Sequence, residues 1–273
     1  FSLYLIMHEL YKNIQWVVQR NLTSIADFDG MRSACADIGV NFVELDIIPF
    51  STDLPSFDRS LVSIIYGSTT FNALAYKDAS LKKGIFFDDV NFSIENYINH
   101  LGHFMLNYEA TITTFNQLIV SGQYHSDHLL FIRPNDDSKS FAGEVKRFDE
   151  IQEWYDQLKV VENTNLSEET EIIVSTPYNI QYEWRLWIVN KKVVAASKYR
   201  EYFRLKKETG CPQAVVDFAE QRCNEYTPHD VFVMDICLCD DEYFIVECGC
   251  LNGAGFYKAD INAIVSAVTR YVA

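Results

Sequence analysis

From Val231 to Asn252 the chain reads VFVMDICLCDDEYFIVECGCLN, and this stretch holds the residues best placed to do chemistry. Two runs, Val231 to Cys239 and Tyr243 to Cys250, are rich in β-branched and aromatic residues and flank the acidic break Asp240-Asp241-Glu242, which predicts a β-hairpin. With those three residues as the loop, Cys239 faces Tyr243, and counting back along both strands sets Asp235 opposite Glu247. Their β-carbons would then lie roughly 4.5–5.5 Å apart on one face, where like charges repel unless something compensates them. A divalent cation would do so. Magnesium takes hard oxygen ligands, commonly one or two carboxylates with substrate phosphates, and Asn252 offers an amide oxygen as the chain leaves the strand. A solvated acidic face is the plainer alternative. Against it, Val233 shares the face of the acids, and Phe232, Met234, Ile236 and Val246 occupy the other, so the strand reads as buried on both sides. Buried carboxylates need partners, and no Lys or Arg lies within the hairpin.

Cationic groups lie upstream. Gln181 to Val189 and Val193 to Arg200 form a second expected hairpin, in which a two-residue turn at Asn190-Lys191 pairs Glu183 with Lys198 and puts Arg185 and Arg200 on the same face. An amphipathic hairpin with its charges in water would look the same, but two arginines and a lysine on a rigid sheet also make a clamp for phosphate oxygens. Leu129 to Pro134 is an apolar strand ending in Arg133, and the polar segment from Asn135 to Gly143 offers Lys139 and backbone amides to an anion. Glu171 to Ser175 is a strand entering Thr176-Pro177-Tyr178.

The elements that carry these groups follow from pattern. Trp16 to Arg20, Val40 to Ile48 and Leu61 to Tyr66 read as strands, with a helix from Asp27 to Ile38 closed by Gly39 and another over Phe71 to Tyr76. Alternating β and α elements imply a parallel sheet, and ligands favour the loops at the carboxyl ends of such strands, which makes Gly67 to Thr70 a weak phosphate candidate beside the simpler turn and helix cap. Ile94 to Leu106 has helical spacing, and the pattern change just before it sets a domain boundary between residues 92 and 93. Asp149 to Leu158 and Ile261 to Val272 read as helices, as does Glu201 to Glu225 with a break at Gly210-Cys211-Pro212.

Composition bounds the class. At 273 residues, 48% hydrophobic and 22% charged, the chain suits one large or two modest globular domains. A formal charge of −15 disfavours nucleic acid and anionic membranes as general partners, and no apolar run approaches the roughly 20 residues that span a bilayer. Phe1 to Met7 is apolar but lacks the basic region and cleavage site of a signal peptide. Seven cysteines at irregular spacings point to a reducing compartment, hence a cytoplasmic location. The pairs Cys237/Cys239 and Cys248/Cys250 invite zinc, but in the expected register they point to opposite faces. His100, His103, His125 and His128 have no carboxylate at the matching helical turn, so they are not read as metal ligands.

Taken in order, the strand ending in Arg133-Pro134, the polar Gly-containing loop, the strand into a proline hinge, the Glu183-x-Arg185 hairpin and then Asp235, Glu247 and Asn252 resemble the ATP-grasp superfamily from about Leu129 to Tyr257. More narrowly the pattern resembles the clade named for two arginines and one lysine. The resemblance implies an α/β N-terminal domain over residues 1–92 and, over 93–273, an α+β two-lobe domain with mostly antiparallel sheets that hold ATP between them. It implies ATP- and Mg2+-dependent joining of a small-molecule or peptide carboxylate to an amine through an acylphosphate. On this pattern Arg133 and Lys139 contact phosphate, Ser175 and Tyr178 lie at the adenine hinge with Glu183 nearby, and Arg185, Lys198 and Arg200 act in catalysis. Asp235, Glu247 and Asn252 would be the metal ligands. The familiar Glu-x-Asn motif is altered, because Gly249 stands at its Asn position. An ATPase or phosphotransferase without ligation, or a nucleotide-binding module without turnover, are the alternative functions.

Overall fold

The computed structural model describes residues 9–135, 140–160 and 166–273, which form three sheets. The first is parallel, with β1 (Ile14–Gln19) between β2 (Asn41–Leu45) and β3 (Val62–Tyr66). All six residues of β1 are buried, as in a central parallel strand covered on both faces, and its two glutamines, Gln15 and Gln19, are hydrogen-bonded to neighbouring groups. Helix α1 (Ile25–Ile38) starts where Ser24 accepts the Asp27 N–H and stops at Gly39, whose φ of 71° suits a residue without a β-carbon. Helix α2 (Thr69–Tyr76) is capped by Ser68, and the Gly67 N–H donates to the carbonyl of Asn252. The Gly67 to Thr70 segment is thus a turn and a cap.

Helix α3 (Ile94–Leu101) is shorter than its periodicity implies. Gly102, at φ 55°, ends it and a single 3-10 turn over Gly102–Phe104 follows. The second sheet is antiparallel in the order β4 (Thr111–Thr114), β7 (Glu171–Ser175), β5 (Leu129–Pro134), β6 (Glu144–Arg147). Helices α4 (Phe115–Val120) and α5 (Phe148–Leu158) cover one face, where Leu130, Ile132, Ile172 and Val174 join Phe115 and Phe148 in a single core. Strand alternation sends Phe131 and Arg133 to the opposite face.

The third sheet carries most of the expected site. Its order is β10 (Arg204–Thr209), β9 (Lys192–Glu201), β8 (Ile180–Val189), β11 (Val231–Cys239), β12 (Glu242–Gly249), all antiparallel. Three of its connections are two-residue turns with positive φ at both positions: Asn190-Lys191, Tyr202-Phe203 and Asp240-Asp241. Such turns match the right-handed strand twist. The turn at Tyr202-Phe203 corrects the reading of Glu201 to Thr209 as helix. Arg204 to Thr209 instead form a charged, exposed edge strand, and the helix α6 begins only at Gln213 and runs to Cys223.

One face of this sheet, with Phe232, Met234, Ile236, Trp184, Leu186 and Ile188, packs against α3 and α6. On the other, Val231, Val233, Trp187 and Val189 pack against β1, α1 and the terminal helix α7 (Ile261–Val272). The first sheet and the third therefore share one core. Gly84 closes a 3-10 helix (Ala79–Gly84) so tightly on β3 that a β-carbon there would fall onto the Ser63 carbonyl. Gly84→Ala should destabilise the chain by about 2 kcal/mol or more. A fall in urea midpoint at constant denaturant slope would report it.

Candidate active site

Asp235 lies directly opposite Glu247, as counting predicts, but by a different route. The loop is Asp240-Asp241 alone, which sets Cys239 opposite Glu242, and a bulge at Val246 then restores the pairing. Asp235 is also opposite Arg185, and Arg185 is opposite Ser197. Glu247, Asp235, Arg185 and Ser197 thus form one row across four strands, just where the apolar packing of Val231 and Val233 ends.

The acids are compensated by arginines, not by a cation alone. Arg185 Nε and Nη2 donate to the two oxygens of Asp235, each at 2.8 Å, and Asp235 is only 3% exposed. Burial works against the Arg185 charge, but Asp235 beside it holds the guanidinium pKa well above its ordinary value. Arg133, arriving from the four-stranded sheet, donates Nη2 to Glu247 Oε2 and Nη1 to the Val246 carbonyl at 3.3 Å. This ion pair bridges the second and third sheets.

A second row adjoins the first. Glu183, 4% exposed, accepts from Arg200 Nη1 at 3.1 Å and from the Tyr199 hydroxyl at 2.7 Å. Burial pushes the Glu183 carboxyl upward, against the pull of Tyr199 and Arg200. Burial also drives the Tyr199 phenol well above its usual pKa, with Asp235 and Glu183 adding to the effect, so Tyr199 stays a donor. Its hydroxyl is 3.4 Å from Asp235 Oδ2, its ring stacks on Tyr257 with centroids 5.0 Å apart, and Arg185 lies 5.1 Å from the Tyr257 ring. Sequence reasoning missed both tyrosines. Tyr199 reaches this face because a bulge at Val194 shifts the register of β9 by one, and Tyr199 is itself bulged between the Trp184–Lys198 and Glu183–Arg200 pairs, which returns Arg200 to the same face.

The bulge at Val194 also corrects the expected position of Lys198. Lys198 is opposite Trp184, on the far face, where it pairs with Glu201 and Glu208. Arg185 and Arg200 do share a face, as expected. Asn252 is the second correction: it is fully buried, its Oδ1 accepts the Phe86 N–H at 2.7 Å, and its Nδ2 donates to the carbonyls of Ile65 and Gly84. Its amide is committed to these backbone groups and to the Cys250 thiol, 3.2 Å from Oδ1, so the side chain is already fully occupied in the core. Lys139 lies outside the described residues.

Ser175 and Tyr178 line a cleft of about 670 Å³ together with Cys239, Asp240 and Phe244. The Tyr178 ring meets Phe131 edge-on at 5.9 Å, two residues along β5 from Arg133. Apolar side chains of Tyr178, Ile180, Phe244 and Val246 line the interval between that cleft and the charged rows. No group of three or more His, Cys, Asp or Glu poised for a metal occurs among the described residues. Burial raises the thiols of Cys35, Cys211, Cys223, Cys237 and Cys239, which suits structural rather than nucleophilic roles. No helix of the described residues is long and apolar enough to cross a membrane.

Solved structures place this architecture among ATP-grasp folds. The chain is similar to a RimK domain protein ATP-grasp from Sphaerobacter thermophilus DSM 20745 (14% identity, 93% of this chain and 99% of that one, TM-score 0.60). It is similar to the macrocyclase MdnC bound with precursor peptide MdnA from Microcystis aeruginosa MRC (12%, 94% and 99%, 0.56). A D-alanine–D-alanine ligase from Bacillus anthracis complexed with ATP is likewise similar (12%, 95% and 98%, 0.54). No curated protein sequence matches. Residues 76–268 match the ATP-grasp domain of family 3 in the clade named for two arginines and one lysine, and the chain belongs to that family.

The roles of Asn252 separate by measurement. Asn252→Ala strands the Phe86 N–H and two carbonyls in the core, so it should cost about 2–4 kcal/mol in urea unfolding. The metal concentration for half-maximal nucleotide binding, measured below the unfolding midpoint, should stay unchanged.

Proposed function

We propose that the chain is an ATP- and magnesium-dependent ligase that joins a carboxylate to an amine through an acylphosphate. The observation that carries this is the row Glu247, Asp235, Arg185, in register on a rigid sheet and faced by Arg133 from the second sheet. Membership of the ATP-grasp family supports nucleotide use. Residues 1–92 are proposed as the preceding α/β unit of the enzyme, packed on the five-stranded sheet through the core the two share.

Asp235 and Glu247 would hold magnesium. The donor set fits, since this ion commonly takes one or two carboxylates and fills its remaining positions with phosphate oxygens and water. When bound it supplies charge neutralisation at the β- and γ-phosphates. Arg133 and Arg185 present planar guanidiniums that can turn from carboxylate to phosphate oxygens, and Arg200 extends the positive row. Lys139 is assigned to phosphate contact from its place in the polar sequence that follows Arg133 and Pro134. Ser175 and Tyr178 hold the base end of the nucleotide, where the apolar lining offers its ring a dry surface. The substrate carboxylate attacks the γ-phosphorus, ADP leaves, and the amine then displaces phosphate from the acylphosphate. Each step moves charge beside guanidiniums that the sheet already places close to the reacting phosphate.

The acid and amine are small molecules or peptides. Similarity to a macrocyclase bound with a precursor peptide favours a peptide. A module that binds nucleotide without turnover is the second reading, favoured by Gly249 at the usual Asn position and by the saturation of both Asp235 oxygens by Arg185.

Asp235→Asn and Glu247→Gln should each lower magnesium-dependent ADP release by about a hundredfold or more. Lys198→Ala, on the opposite face, should stay within about threefold of the parent. Amine-dependent ADP release with a new amide identifies a ligase. ADP release without one identifies an ATPase, and thermal protection by ATP without turnover identifies a binding module.

A further inference from the structure

A second cleft, of about 530 Å³, lies away from the charged rows, between the end of α2 with the following 3-10 helix and the residues that lead into β11. Its volume is in the range that takes small organic ligands. Lys77 and Lys82 line it, and among the described residues neither has an ion-pair partner. In a chain of formal charge −15, two unpaired ammonium groups on one concave surface are a local reversal of sign. The nearby acid Asp78 is already engaged, capping Ser80 and facing Arg59.

His229, also lining the cleft, adds a donor of fixed tautomer. Its Nδ1 accepts the Val231 N–H at 3.0 Å, and burial lowers its pKa, so the neutral ring carries its proton on Nε2. Asp88, the one acid in the lining, spends Oδ1 on the N–H groups of Val90 and Asn91. Phe87 and Tyr76 supply the apolar wall, their rings meeting edge to face at 5.8 Å. A lining that combines cationic and imidazole donors with two aromatic rings suits a ligand with an anionic end and a flat body.

We propose that this cleft binds a small organic anion, with its phosphate or carboxylate on Lys77, Lys82 and the His229 Nε2–H and its planar body on Phe87 and Tyr76. Nothing in this assignment depends on the ligase reading, because none of these residues belongs to the charged rows.

Phenyl phosphate and benzoate are the probes, titrated calorimetrically into the full chain with inorganic phosphate as the control for the ring. At least one aromatic anion should bind with a dissociation constant of about 1 mM or tighter, and inorganic phosphate at least about tenfold more weakly. Lys77→Ala/Lys82→Ala, two exposed changes that leave the core intact, should weaken the aromatic anion about tenfold or more, while ATP binding, followed by competition with a fluorescent nucleotide, stays unchanged. His229→Gln, which can accept the Val231 N–H and still donate, should bind more tightly than His229→Phe. Absence of binding, equal affinity for inorganic phosphate, or affinity unmoved by the double lysine change would each overturn the assignment.

Discussion

Asp235 and Arg185 face one another on adjacent strands, almost withdrawn from solvent, and each is tolerable there because the other is present. A buried ion pair adds little net stability, but removing one partner leaves an uncompensated charge that costs about 3–5 kcal/mol. The alignment of β8 with β11 is therefore constrained at this point more tightly than by backbone hydrogen bonds alone. Slipping either strand by one residue would send a charged group into the apolar face around Leu186 and Met234. Tyr199 and Tyr257 then close the pair on one side, and Glu247 with Arg133 on another.

The network balances charge locally: Glu183, Asp235 and Glu247 stand against Arg133, Arg185 and Arg200. That balance suits a site that receives a polyanion. A phosphate group that draws one guanidinium toward itself leaves a carboxylate free for a cation, so the sum of charges removed from water stays nearly constant through the exchange. Geometry matters as much as sign. Because the groups project from strands rather than loops, their spacing is set by the sheet, and little ordering remains to be done when a ligand arrives.

Much of this was legible in the sequence where one local rule decided the outcome. The parallel first sheet follows from alternating elements, α1 from its closing glycine, and the Asp235–Glu247 pairing from the lengths of two apolar runs. The pairing survived a wrong loop length only because the bulge at Val246 offset the shorter turn at Asp240-Asp241. No such offset helped Lys198. Bulges at Val194 and Tyr199 leave no mark in the pattern of Val193 to Arg200, yet the first carries Lys198 to the far face and Tyr199 to the near one, and the second returns Arg200 to the near face. Asn252 was unreadable for a different reason. An asparagine close to two acids looks like a ligand, and only the tertiary fold shows three backbone groups from distant elements converging on its amide. Likewise Arg185 as the partner of Asp235, 50 residues away in the chain, depends on two hairpins lying side by side.

The Asn252 amide and its own carbonyl tie Phe86, Ile65, Gly84 and Gly67 to the segment that follows β12, through four hydrogen bonds in a dry interior. Pulling the parallel sheet from the five-stranded one would strand all of them. The four-stranded sheet meets the same region through Ile173, buried in the core on the α3 and α6 side, and through the pair of Arg133 and Glu247. Asn252 is thereby a rivet between the parallel sheet and the five-stranded one, seated where water does not reach it.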